Sequence, residues 1–494
     1  MVNVMDRRTF VHRAASTAAV FGLTGGFGAA RADGAIIPVL SLLEDASAEE
    51  LPQKLVRLIR DGLRYDQLLT ALALAAVRNV QPYPDVGFKY HAVMVLQSVH
   101  LTALHLPGME KWLPLMWAAD NFKRSQADER RASGWRMSEA TDKRKVVRPE
   151  AARRALIAAL ESWDSEAADA AVTNYARVAA PEDVLSLLFS YGARDLRGIG
   201  HKAITVQNAH RIVAAADPAH ALSVLRSTVA ALQNTEGDPN PATHDLAADR
   251  SWRENNELLH KIPASWQQGR KDQGARADLL AALREASQED AGKAVVELLG
   301  DAVSSGTLWQ ALLDAAAELV MRLPSIVPLH ARTTANALHY AYRMCEDERT
   351  RQLMLLQCAA FIPMFRSFVG GTHPNLRIDG LQPLVPAGKG PESVEEIFSE
   401  LSIDRLRGAS KTLGYLLDGG DAQQLLARAR HYLVRHASDA HDYKFTEGVF
   451  EDYSQIADPA WRHRHLSAAM VYFKGPASRA HPVVAQAIEL LDAD

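Results

Sequence analysis

From about Ser47 onward the apolar residues recur at intervals of three and four, as in Leu51, Leu55, Leu58 and Ile59, and again in Leu68, Leu69, Leu72 and Leu74. That is the repeat of one face of an α-helix and not the alternation of a half-buried strand. Runs of Val, Ile and Thr bounded by Asn-Gly or Asp-Gly are nearly absent, and Ala is abundant where two helices would have to approach closely. The expectation is an all-α fold, either a large multi-helix bundle or an irregular, α-solenoid-like assembly. No fixed-period repeat of tetratricopeptide or ankyrin type occurs. With 494 residues, 48% hydrophobic and 23% charged, the chain has material for a sizeable core. That composition excludes wholesale disorder and a multi-span membrane protein.

Breaks in the helical pattern fall at Gln81-Pro82-Tyr83-Pro84, at the charged run Lys123 to Arg148, at Gly237 to Pro241 and at Gly370 to Pro391. None is a Ser/Gly linker, so residues 33–494 are expected to form a single large helical domain with long connecting loops. The charged run, which carries Trp135, reads as a solvated loop or lid, and Trp461 to Asp494 as one or two closing helices. Fifty-five Lys and Arg against 59 Asp and Glu leave no basic surplus for phosphate contacts, so nucleic acid is not an expected partner. Cys345 and Cys358 match no zinc spacing and read as core thiols, with a single bridge between them left open.

The N-terminus places Arg7 and Arg8 ahead of an Ala- and Gly-rich, mildly apolar stretch ending in Ala30-Arg31-Ala32. It resembles a twin-arginine export signal over residues 1–32, and is too short and Gly-rich for a spanning helix, so no stable membrane span is expected after cleavage. Removal after Ala32 leaves 51 basic and 58 acidic residues, a net charge of -7. The twin-arginine translocation machinery would then be a partner and the periplasm the destination. Because that route carries folded proteins, it favours a cofactor loaded in the cytoplasm.

Among 18 histidines, four stand in helix-like, small-residue settings: His91, His201, His330 and His441. Their separations of 110, 129 and 111 residues put them on four different helices, from which bundle ligands can converge. Their helix faces are small or polar: Val95, Ser98 and Thr102 follow His91, Thr205 and Asn208 follow His201, and Thr334, Ala337 and Ala341 follow His330. Such faces leave room for a ligand or water. Lys444 lies three residues after His441 on the same face, a pair whose plain reading is a solvated surface.

Four segments carry a family resemblance: Phe88-Lys89-Tyr90-His91-Ala92-Val93, Gly200-His201-Lys202-Ala203-Ile204, Leu329-His330-Ala331-Arg332-Thr333 running to Ala337, and His441 to Lys444. In this order they resemble the questin oxidase-like family, helical oxygenases of fungal anthraquinone metabolism with bacterial relatives. The resemblance touches about a tenth of the chain closely. It implies a mononuclear non-haem iron centre that uses dioxygen to cleave a ring of a small aromatic substrate. The implied ligands are His91, His201, His330, His441 and a carbamylated Lys444. Family members are richer in His around the first site, so His100 is an alternative to His91. His100, Asn208, Thr334 and Tyr443 are expected behind the ligands or in a substrate pocket, and Asp442 behind the ligands or in solvent. Export departs from the fungal pattern and leaves the substrate open.

The donor chemistry is self-consistent. Neutral imidazole suits Fe(II), and four uncharged imidazoles need an anionic oxygen ligand, which a lysine carbamate supplies if Lys444 is first a neutral amine. Other motifs carry less. Gly198-Ile199-Gly200 lacks a preceding strand and is no nucleotide fingerprint. Glu447 and Glu451, four apart, read as solvated acids rather than an acid/base pair. Trp112, Trp117, Trp135, Trp252 and Trp266 read as core or pocket wall. The competing function is an exported helical-repeat binding or scaffold protein in which the four histidines only link helices. A metal-dependent hydrolase is weaker, since carbamylated lysines in such sites usually bridge two metals with carboxylates not seen here. Replacing Arg7 and Arg8 by Lys is expected to hold the protein in the cytoplasm, and fractionation that still finds the variant in the periplasm would give the segment another use.

Overall fold

The computed structural model describes residues 28–83, 89–140, 148–233, 239–369, 373, 375–388 and 390–493, with side chains from Ile36 onward. The twin-arginine pair and part of each expected break lie outside them. In chain order the helices are α1 (Gly28–Asp45), α2 (Leu51–Arg60), α3 (Tyr65–Asn79), the short α4 (His91–Met94), α5 (Leu96–Ala103) and α6 (Leu113–Ala132). Next come α7 (Pro149–Ser162), α8 (Ser165–Tyr175), α9 (Pro181–Arg194), α10 (His201–Ala215), α11 (Ala221–Gln233) and α12 (Ala247–Leu258). They are followed by α13 (Gln273–Leu283), α14 (Gln288–Gly300), α15 (Ser305–Arg322), α16 (Ile326–Met344) and α17 (Glu348–Phe368). The chain closes with α18 (Pro391–Glu400), α19 (Arg405–Leu417), α20 (Ala422–His436), α21 (Ala440–Gln455), α22 (Pro459–Ala469) and α23 (Pro482–Asp492). Among the described residues no strand forms; Arg270 and Val303 make an isolated bridge. No helix among them is long and apolar enough to cross a membrane.

Local chemistry starts many of these helices. Asp164, Asp272, Ser287, Ser304, Asp347 and Asp404 each accept a first-turn backbone N–H. Pro149, Pro181, Pro391 and Pro459 stand at first helical positions, where a missing N–H leaves nothing unsatisfied. The three-four pattern becomes burial: Leu51, Leu55, Val56 and Ile59 form the inner face of α2.

Two apolar cores result. One gathers α1 to α6 with α23 on its flank, and the other takes the remaining helices around α16. Helix α16 packs against α9, α10, α15, α17 and α21, and α23 returns to α6, so the architecture is a bundle around a central helix and not nearest-neighbour stacking. Ala331, Ala335, Ala337 and Ala341 let neighbours approach α16 closely. Helices α4, α10 and α21 feed both cores: Ala92, Ile212 and Tyr443 belong to the first, Met94, Ile204 and Phe445 to the second.

Two sequence expectations are corrected here. The charged run is helical as far as Ala132, because Lys123 turns inward to donate to the carbonyl oxygens of Leu43 and Glu44 at the end of α1, at 3.0 and 3.2 Å, and buried Glu129 pairs with Lys89 at 2.9 Å. Cys345 and Cys358 are both buried and free, so the bridge left open does not form.

Helix α20 is shared as well, with Val434 in the first core and Leu425 in the second, and since four helices thus belong to both cores, the cores should unfold together. Leu72→Ala in the first and Leu312→Ala in the second are each expected to destabilise by about 2–5 kcal/mol and to lower one common urea transition followed by far-ultraviolet circular dichroism. Two separable transitions would make the cores independent.

Candidate metal centre

The four singled-out histidines meet where the two cores join. His91 opens α4, His201 opens α10, His330 lies in the second turn of α16 and His441 in the first turn of α21. One ring nitrogen from each lies within 4.8 Å of the others, and every ring is 5% exposed or less. The rings form a closed square, with centroid separations of 5.0 Å (His91 and His201), 4.7 Å (His201 and His330), 4.8 Å (His330 and His441) and 4.5 Å (His441 and His91). The Nε2 atoms of His201 and His330 are 2.8 Å apart, and those of His91 and His441 3.0 Å. These short edges match neighbouring ligands of one first-row ion. The widest separation exceeds two bonds of about 2.1 Å laid end to end, so a bound ion would draw the ring inward by about half an ångström.

Local sequence delivers each ring. Gly198, Ile199 and Gly200 run through φ of 57, 55 and 83°, a left-handed turn that starts α10 at His201. A Cβ on Gly200 would collide with Thr334, whose hydroxyl donates to the Ile199 carbonyl at 3.2 Å, so the turn presses His201 against the helix that bears His330. Asn208 donates to the Met94 carbonyl at 2.5 Å, tying α10 to the helix of His91. Asp439 caps α21, accepting from the His441 backbone at 2.7 Å and facing its Nδ1 at 3.0 Å.

These contacts set the tautomers. The Ile326 carbonyl can only accept, so His330 Nδ1, 2.6 Å away, carries the proton and its Nε2 keeps a lone pair. Burial pushes Asp439 up, but the hydrogen bond and charge of His441 prevail and keep the carboxyl below its usual range. His441 Nδ1 therefore donates, and its Nε2 too holds a lone pair. This is how metal-binding imidazoles are oriented from behind. Without a cation, His201 can donate to His330 and His91 to His441, so four crowded histidines also close as two hydrogen-bonded pairs, the helix-linking arrangement that the scaffold reading requires. Burial keeps three of the rings neutral: His91 and His330 are held well below the usual histidine range, first by burial and then by neighbouring rings and Lys444, and His441 is lowered to about 4.

Lys444 neighbours the cluster. It is 4% exposed, its Nζ has no hydrogen-bond partner, and its charge bears on His91, His330 and His441. Burial lowers its amine from 10.5 to about 7. The solvated-face reading of His441 and Lys444 is thereby overturned, because α21 is buried over most of its length.

Other expected site residues have different employment. His100 stands apart with its Nδ1 3.1 Å from the Tyr65 hydroxyl, so His91 and not His100 joins the cluster. Asn208 and Thr334, by contrast, stand around the candidate ligands as expected, tying together the helices that bear the histidines. Tyr443 points into the first core against Trp117, ring centroids 4.8 Å apart. Asp442 is buried, accepting from Ser438 at 2.7 Å and pairing with Lys474 at 3.0 Å, so it is no solvent residue. Glu447 and Glu451 are not solvated either: Arg430 holds the first at 2.9 Å and Arg211 the second at 2.6 Å. Trp112, Trp117 and Trp266 are core residues, and Trp252 faces a cavity away from the histidines. Sequence reasoning missed the turn at Gly198 to Gly200, whose two glycines directly before a candidate ligand were its visible sign.

The chain matches no family model, no curated protein and no solved structure.

The lowered amine and imidazole imply a pH dependence for the metal-free protein. The unfolded chain takes up protons near 6.5 on histidine and near 10.5 on lysine, whereas the folded chain resists until about 4 at His441 and about 7 at Lys444. Stability is thus expected to fall as pH drops from 10.5 to 7 and again from 6.5 to 4. In Lys444→Met the upper slope should flatten, read as the urea midpoint against pH, and equal slopes in both proteins would place Lys444 in solvent.

Proposed function

We propose that the four-histidine centre holds a single Fe(II) ion, with Lys444 carbamylated as its anionic ligand, and that the protein is an oxygenase acting on a small, aromatic organic substrate. When bound, the iron supplies dioxygen activation. The observation that carries this reading is the convergence of four neutral imidazoles, from four helices, on a spot that also contains a partnerless buried amine.

The anion follows from the residues at hand. Four imidazoles leave the charge of a divalent ion uncompensated, and among the described residues no carboxylate joins the cluster. Asp439 is engaged by His441 and Glu447 by Arg430. An ammonium beside the ion would be repelled. As a free amine, Lys444 Nζ attacks carbon dioxide: one N–C bond forms as one C=O π bond opens, the nitrogen releases one proton to solvent, and a carbamate anion stands in place of the neutral amine. Burial supports the first step by favouring the amine. His330 and His441 offer their Nε2 lone pairs because Ile326 and Asp439 hold the opposite protons. Twin-arginine export belongs to the same reading: a folded, loaded protein delivered to the periplasm.

Iron per chain decides the matter. Wild type is expected to hold about one iron and, supplied with 13C-bicarbonate, to show a carbamate carbon signal in its NMR spectrum. His330→Ala, Lys444→Ala and Lys444→Arg should lose most of the metal, the last because a guanidinium stays protonated and cannot take up carbon dioxide. Wild-type iron content in both Lys444 variants would remove the carbamate, and wild-type content in His330→Ala would remove the centre.

A further inference from the structure

A cavity of about 650 Å3 opens between α7, α8, α9, α12 and the start of α17, and none of the cluster residues lines it. Helices α9 and α17 pack on α10 and α16, so it lies behind the helices that carry His201 and His330. Its size falls within the range of about 300–1,000 Å3 usual for small-molecule sites.

Three helices each give it an aromatic ring: Tyr175 from α8, Tyr191 from α9 and Trp252 from α12. Buried Arg194 lies over the Tyr191 ring at 4.9 Å and donates to Glu161 at 3.1 Å, while its Nε has no partner. Hydroxyls of Ser186 and Ser190, about one helical turn apart, add acceptor oxygens; Ser190 donates its own proton to the Leu187 carbonyl at 3.1 Å, and Ser186 lies 3.8 Å from Cys345 Sγ. At the exposed rim, Arg153 and Arg349 are matched by Asp183 and Asp347. With Arg194 and Glu161, cations and carboxylates balance, so neither a polyanion nor a cation meets an excess of opposite charge. Ring faces suit the C–H faces of a ligand, and guanidinium, carboxylate and hydroxyl groups suit closely spaced hydroxyls that both donate and accept.

We propose that this cavity is a second ligand site, for a neutral, polyhydroxylated ring compound of the size of a mono- or disaccharide. It shares no residue with the histidine centre, and its test is independent of the metal.

Calorimetric titration of the full chain with glucose, cellobiose, trehalose and myo-inositol is expected to give saturable binding of at least one, with a Kd of about 1 mM or tighter. Benzoate and inorganic phosphate should bind more weakly. Ser190→Phe, which fills the cavity, and Trp252→Ala, which removes a wall, should each weaken binding about ten-fold or more, with circular dichroism and metal content as in wild type. If Ser190→Phe does not fold, Trp252→Ala decides alone. No saturable binding by any of the four compounds, tighter binding of benzoate or phosphate, or unchanged binding in the folded variants would overturn the proposal.

Discussion

Four imidazoles and an amine buried close together constrain everything around them. None can carry a proton there without losing hydration, so each must be kept neutral or given to a cation. The protein meets this from behind: the Ile326 carbonyl and Asp439 fix two rings so that their lone pairs face inward, and those two receive hydrogen bonds from the others. Lys444 is the one donor in the cluster with nothing to receive it. The site is thus balanced in its imidazoles and unbalanced in its amine, and that imbalance is what a carbamate and a divalent ion would remove.

Helix α21 is clamped by charge as well as by packing. Glu447 pairs with Arg430 of α20, and one turn later the adjacent Glu451 and Asp452 pair with Arg211 of α10 and, at 3.1 Å, with Arg332 of α16, so three acids over two turns fasten it to three neighbours. Buried pairs of this kind add little net stability, but losing one partner strands a charge at a cost of about 3–5 kcal/mol. Their effect is on register: sliding α21 by one turn would break all three pairs and carry His441 and Lys444 away from the cluster. Two of the fastened helices, α10 and α16, themselves bear histidines of the cluster. The clamps therefore hold the square of rings together from outside it.

The all-helical class, the four histidines as a set and the shared face of His441 and Lys444 were legible in the amino-acid sequence. The class and the shared face depend on the helical repeat, a local property that shows in residue spacing, whereas the histidine set rested on small-residue settings and on the family resemblance of its four segments. Tertiary structure alone decided that His91 joins the cluster while His100 turns to Tyr65, although both stand in similar helical settings. It alone turned Glu447, Glu451 and Asp442 inward, continued α6 through a charged run and gave Asn208 and Thr334 their positioning contacts. The physical reason is that periodicity states which residues share a face but not which faces meet, and burial and charge pairing arise only where faces from distant segments come together.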